Sequence, residues 1–127
     1  MSKIFGLSRE ERLRSRKAIG KLFSGGQSFF VFPLKVAWIA ADSRERSPVR
    51  AAFSVSRRNF RRAVKRNLLK RRMREAYRRN KHILYEAREG EKALEVMFIY
   101  AGCEVKDLLL IEQSMKQALR RLASLAG

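Results

Sequence analysis

The amino-acid sequence predicts an α+β fold in one domain, with helices packed against a small sheet. Two observations carry this. Segments with apolar residues at three-to-four spacing are interspersed with segments that alternate residue by residue, so helices and strands share one chain. The 127 residues, 46% of them apolar, suit one compact core rather than two. Taken in order, Ser8 to Glu11 fits a capping box, and Ser15 is a competing cap. The later start is preferred, because Ile19, Leu22 and Phe23 then fall on one helical face and Gly25-Gly26 ends the helix. Phe29–Phe32 and Leu34–Ala40 read as extended, separated by Pro33, which cannot donate to a ladder. Asp42–Pro48 is a polar turn. In Val49–Ser56, Val49, Ala51, Phe53 and Val55 point one way, and Arg50, Ala52, Ser54 and Ser56 the other. Arg61–Asn80 contains neither Pro nor Gly and favours helix. Arg88–Lys92 is a charged loop. Ala93–Tyr100 is a nearly continuous apolar run, as in a strand covered on both faces. Leu108, Ile111, Met115, Ala118, Leu119, Leu122 and Leu125 mark an amphipathic C-terminal helix. The order is α-β-β-α-β-α, a two-layer sandwich of helices on a sheet.

Charge narrows the function. There are 30 Lys+Arg against 12 Asp+Glu, a net charge of +18. So large an excess repels itself unless a polyanion lies beside it. Nucleic acid supplies one charge per phosphate and releases counterions on contact. An anionic membrane surface is the other candidate. The longest apolar run, near Val96–Ala101, is far short of the ~20 residues of a membrane helix. Met1 to Lys17 holds no long apolar stretch of the kind a signal peptide needs. Cys103 is the only cysteine, so no internal disulfide can form and a cytoplasmic location is expected. His82 is the only histidine, which excludes multi-histidine metal sites and most histidine-based triads. No phosphate-binding Gly-rich loop is present.

The charge is concentrated. Arg57 to Arg79 holds twelve Lys/Arg and one acid, Glu75, and so carries +11 of the +18. On a helix, Asn67, Lys70, Arg71, Arg74, Arg78 and Lys81 form one stripe, with Leu69, Met73, Ala76 and Tyr77 opposite. Such a helix buries one side and holds a row of cations at ~5–6 Å spacing, suited to successive phosphates. Arg can grip phosphate oxygens with two N–H groups at once. An ordinary solvated face would interleave both signs at i,i+4. A membrane-surface helix would carry large apolar residues that the opposite face here lacks.

Phe53-Ser-Val-Ser-Arg-Arg, followed by Ala63-Val64-Lys65-Arg66-Asn67-Leu68-Leu69-Lys70-Arg71-Arg72-Met73-Arg74-Glu75-Ala76-Tyr77-Arg78, closely resembles the signature of the bacterial ribonuclease P protein family. Weaker resemblance extends over Arg12-Leu13, the first helix, the buried strand and the C-terminal helix. The family's Arg-Asn-Arg trio reads Arg66-Asn67-Leu68 here, so its third position has no polar side chain. A first-helix aromatic is replaced by Ile19, leaving Phe23. The link Asn59–Arg62 is one residue longer than in some members.

The resemblance implies an α-β-β-β-α-β-α fold, with Phe29–Phe32 as the extra strand and a left-handed β-α-β crossover around the basic helix. It implies two RNA surfaces. Arg57, Arg58, Arg66, Asn67, Lys70, Arg71, Arg74 and Arg78 would dock on the catalytic ribonuclease P RNA. A cleft between helix and sheet, with Phe23, Arg50, Ser54 and Ser56, would accept the single-stranded 5′ leader of precursor tRNA. The reaction would be hydrolysis of one phosphodiester bond by water activated at Mg²⁺ bound mainly by the RNA, with no catalytic or metal-ligating residue in this chain and no obligate protein partner.

Other residues have plainer readings. Glu86, Glu89, Glu91 and Glu95 read as a solvated loop and strand face rather than a metal site. His82 reads as a surface residue, Cys103 as a small residue near a strand end, and Trp38 as core. Phe23 is open between base stacking and helix–sheet packing. The rivals are a structural RNA- or DNA-binding protein of ribosomal type and a protein nuclease using its own carboxylates.

Overall fold

The computed structural model describes residues 11–13, 16–40, 49–87 and 93–126. The first helix, α1, spans Arg16–Gly25. The helix matches the later of the two expected starts; Ser15 itself, like Ser8 to Glu10 of the other cap, lies outside the described residues. Gly26 ends it because a side chain there would collide with the carbonyl oxygen of Leu22 and stand 2.8 Å from that of Trp38. The chain therefore turns at once into β1, Gln27–Val31, which starts two residues before the sequence suggests. Phe32 is spent on the turn with Pro33, and β2 follows at Leu34–Ala40. The polar turn expected at 42–48 lies outside the described residues. β3 runs over Val49–Val55.

The basic helix α2 spans Ala63–Asn80, two residues later than expected at its start. A short helix, α3 at His82–Ala87, follows it directly and was not evident in the sequence. Leu84 and Tyr85 both donate backbone N–H to the carbonyl of Lys81, which makes the corner. The charged loop expected at 88–92 lies outside the described residues. β4 is Leu94–Tyr100 and α4 is Leu108–Ala126. The Asp107 carboxylate accepts the Leu110 N–H at 3.0 Å and caps α4.

The sheet order is β1-β2-β4-β3. β1 and β2 form an antiparallel hairpin, β4 is antiparallel to β2, and β3 is parallel to β4, so α2 and α3 make the crossover. The core lies between one sheet face and α2, α3 and α4: Val36, Trp38, Phe98 and Tyr100 meet Tyr77, Met73, Leu84 and Met115. Among the described residues the other face carries α1 and Leu13 of the segment before it. Leu22, with Ile19 beside it, packs on Ala37, Met97 and Ala52. Before α1, Leu13 donates its N–H to the Ala51 carbonyl at 2.8 Å, so the chain lines the free edge of β3.

Candidate nucleic-acid interface

β3 turns into α2 through a short, braced loop. Ser56 Oγ accepts the Arg58 N–H at 3.1 Å, and the Asn59 amide donates to the Gly102 carbonyl at 3.4 Å. Arg57 and Arg58 are exposed on this turn. Arg66 points back: its guanidinium donates to the carbonyls of Phe60 and Arg61, both at 2.7 Å. Of the signature residues, Arg66 and Ser56 thus shape the loop as well as bordering the surface. Beside it, a recess of about 420 Å³ is lined by Arg61, Arg62, Lys65 and the exposed Cys103 of the β4–α4 loop.

α2 divides as its sequence suggests. Leu69, Met73, Ala76 and Tyr77 are fully buried, while Asn67, Arg71 and Arg74 are exposed and Lys70 is half-buried. No ion pair joins Lys70, Arg71 or Arg74 to an acid among the described residues. Arg78 differs, because Glu75 holds it at 2.5 Å and takes Arg79 at 2.9 Å. Hydrogen bonding from Arg78, with the charges of Arg78 and Arg79, keeps the Glu75 carboxyl below its ordinary range although burial opposes this.

Lys81 leaves the stripe altogether. It is only 6% exposed and its ammonium meets Glu11 at 2.6 Å. The Tyr85 hydroxyl donates to the same carboxylate, and Tyr77 lies nearby, its phenol pushed well above the ordinary range chiefly by burial. The expectation that Lys81 continues the exposed row is corrected: past Asn80 the chain turns into α3, and Lys81 closes a buried ion pair with the N-terminal segment.

A cleft of about 430 Å³ opens between β3, α1 and α2. Ser54 and Ala52 form its floor, Ile19 and Arg12 one wall, Lys70 and Arg74 the other. The strand register orders this sheet face into rows. Ala37, Met97 and Ala52 form the row under α1. Lys35, Ile99 and Ser54 form the next row on one side, and Ile39, Glu95 and Arg50 the next on the other. Arg50 and Ser54 therefore share a face but lie four residues apart, ~13 Å along the strand, with the α1-covered row between them. Of the four residues suggested for a leader cleft, Ser54 lies in it, Ser56 follows two residues on in the loop after β3, and Arg50 sits beyond the row that α1 covers. Phe23 is 61% exposed, so the helix–sheet packing falls to Leu22 and Ile19. It lies one turn from Ile19 on α1, on the side that Ile19 turns to the cleft.

Arg12, which the sequence offers only within the weaker resemblance and without a site role, is a wall residue here. It arrives through a parallel bridge to Ala51, a long-range contact without local signature. Among the described residues no group of three or more His, Cys, Asp or Glu stands close enough to hold a metal ion. Glu86 is exposed and Glu95 lies across from Arg50; Glu89 and Glu91 lie outside the described residues. Trp38 is in the core, and His82 and Cys103 are at the surface. No helix among the described residues is long and apolar enough to cross a membrane.

An α+β fold that presents a one-sided basic helix beside an open cleft is that of a small nucleic-acid-binding protein. Comparison with known proteins narrows the class. The family described as Ribonuclease P matches residues 7–123. A ribonuclease P protein component from Porphyromonas gingivalis is 38% identical over 120 residues, 94% of this chain and 88% of the relative. One from Chlorobaculum tepidum is 36% identical over 102 residues, 74% of this chain and 66% of the relative. The structure of the RNase P protein from Thermotoga maritima superposes with a TM-score of 0.68 at 26% identity, covering 87% of this chain and 96% of that one. The chain belongs to the ribonuclease P protein family, and so is the protein component of an endoribonuclease rather than a ribosomal-type RNA binder.

Proposed function

We propose that this protein serves ribonuclease P by two separate contacts: the exposed α2 row docks on the ribonuclease P RNA, and the cleft holds the single-stranded 5′ leader of precursor tRNA. The observation that carries the reading is the cleft itself. Its floor is small and polar at Ser54, Lys70 and Arg74 stand on one wall, and an exposed ring, Phe23, stands on the helix that forms the other. Single-stranded RNA needs a cationic track for phosphates and an aromatic face for a base, and asks little of the floor beyond room. Lys70 and Arg74 border both surfaces, so leader and catalytic RNA would meet along α2.

Chemistry in this reading belongs to the RNA, where bound Mg²⁺ would supply the activation of water. The protein's residues bind, orient and offset phosphate repulsion.

The test is Phe23→Ala in the reconstituted holoenzyme. A stacked base is worth ~1–3 kcal/mol, so precursor tRNA should bind about fivefold to a hundredfold more weakly. Mature tRNA, which has no leader, should bind as before. Equal losses for precursor and mature tRNA would overturn the leader assignment.

A further inference from the structure

The cleft is not the end of its row. The register continues from Ser54 through Ile99 and Lys35 to Phe30 on the edge strand β1. Phe29, the neighbouring residue, is buried in the main core, so Phe30 points to the α1 side with Lys35. Phe30 is 54% exposed, and so is Phe32 in the following turn. Their ring centroids are 6.3 Å apart and the planes are inclined by 57°, so neither ring covers the other's face. Phe32 is anchored from behind, its carbonyl accepting Ser114 Oγ at 2.6 Å. The Lys106 ammonium stands over the Phe32 ring at 6.0 Å and also pairs with Glu104 at 3.0 Å. The Lys106 carbonyl in turn accepts Arg72 of α2 at 2.6 Å.

Two adjacent half-exposed rings are costly in water and call for a partner. Lys35 and Lys106 beside them, on a chain of net charge +18, favour a polyanion over an apolar protein surface. The row's continuity with the cleft fixes which one. We propose that Phe30 and Phe32 form a second aromatic platform, which takes bases of single-stranded RNA leaving the cleft across β4 and β2. This rests on the leader reading above and extends it to leader nucleotides farther from the cleaved bond. Crossing three strand spacings of ~4.8 Å covers ~14 Å, about four nucleotides at a stacked rise of ~3.4 Å and about two where the backbone is extended.

The test uses holoenzyme carrying Phe30→Ala/Phe32→Ala and precursors with leaders of about one or about ten nucleotides, the shorter too short for that ~14 Å path. The long leader should lose about fivefold to a hundredfold in affinity, while the short leader and mature tRNA bind as to wild type. Phe30→Tyr/Phe32→Tyr keeps both rings and should restore long-leader affinity. Long-leader affinity that is unchanged, or lost equally for short leaders, overturns the platform. So does a wild-type dimer in sedimentation that the double variant abolishes, which would make β1 a contact between copies. If wild-type holoenzyme does not distinguish precursor from mature tRNA, the leader reading itself fails. The platform is then read by the affinity of the full protein alone for a labelled single-stranded RNA of about ten nucleotides. A loss in the double variant retains it, and no loss overturns it.

Discussion

The two halves of α2 use the same residue types for opposite purposes. Between Ala63 and Arg74, Arg66 and Arg72 turn to backbone carbonyls, while Lys70, Arg71 and Arg74 line the outer side and, among the described residues, pair with no acid. From Glu75 onward every cation finds one: Arg78 and Arg79 share Glu75, Arg79 reaches Glu112 at 3.6 Å, and Lys81 is buried on Glu11. The difference is not in the cations. It lies in where acids arrive, from α2 itself, from α4 and from the segment before α1. A basic helix is thus a binding surface only along the part that the rest of the fold leaves uncompensated. The C-terminal part fastens three segments together.

The largest effect separating the halves should come from Glu11→Ala. It takes the carboxylate from the Lys81 ammonium in a site where it is 6% exposed, and leaves the Tyr85 hydroxyl its longer contact to the Val49 carbonyl at 3.5 Å. Removing one partner of a buried pair costs about 3–5 kcal/mol, read by urea unfolding. Glu11→Leu with Lys81→Met removes both charges and should recover most of that. The affinity of folded protein for ribonuclease P RNA should hold. If Glu11→Ala weakens RNA binding without lowering stability, Lys81 belongs to the RNA surface and the division fails.

The opposite signature is expected for Lys70→Ala/Arg71→Ala/Arg74→Ala. These residues pack little, so unfolding should barely move. Each lost phosphate contact removes about 0.7–0.9 from the slope of log affinity against log salt, so the triple variant should be shallower by about 2–3. A titration of ribonuclease P RNA across salt concentrations reads it. An unchanged slope would move the RNA surface off α2.

This division sets what could be read from sequence. Strands and helices were legible because Leu69, Met73, Ala76 and Tyr77, or Val49, Ala51 and Val55, repeat at the period of their element. The exposed stripe was legible from Asn67 to Arg74 by the same geometry. Lys81 was not, because its acid lies seventy residues earlier and periodicity carries no information on which acid comes to which cation. Arg50 and Ser54 share strand alternation, yet α1 crosses between their rows, and alternation says nothing of what covers a face. α3 escaped notice because six residues are too few for a helical period to repeat. Phe30 looked like one more strand aromatic until the register aligned it with Ser54.

The smallest and sharpest expectation concerns Glu75, at the boundary of the two halves. Its carboxylate holds Arg78 and Arg79 from within their own helix. Glu75→Gln keeps the size and removes the charge, leaving both guanidinium groups without that partner. The network is solvent-screened, so stability should fall only slightly. The pH dependence has a definite sign. The folded carboxyl titrates below its ordinary value of 4.5, mainly through the hydrogen bond from Arg78. Its contribution is therefore fully present above that value and is lost as pH falls through the lower, folded one. Wild type and Glu75→Gln should differ by a constant amount at neutral pH and converge in acid. RNA binding should move the other way. Arg78, no longer held by Glu75, gains reach for one more phosphate contact, and the salt slope should steepen by about 0.7–0.9. If the slope is unchanged while the acid convergence is seen, Arg78 serves only the fold, and the RNA-facing row ends at Arg74.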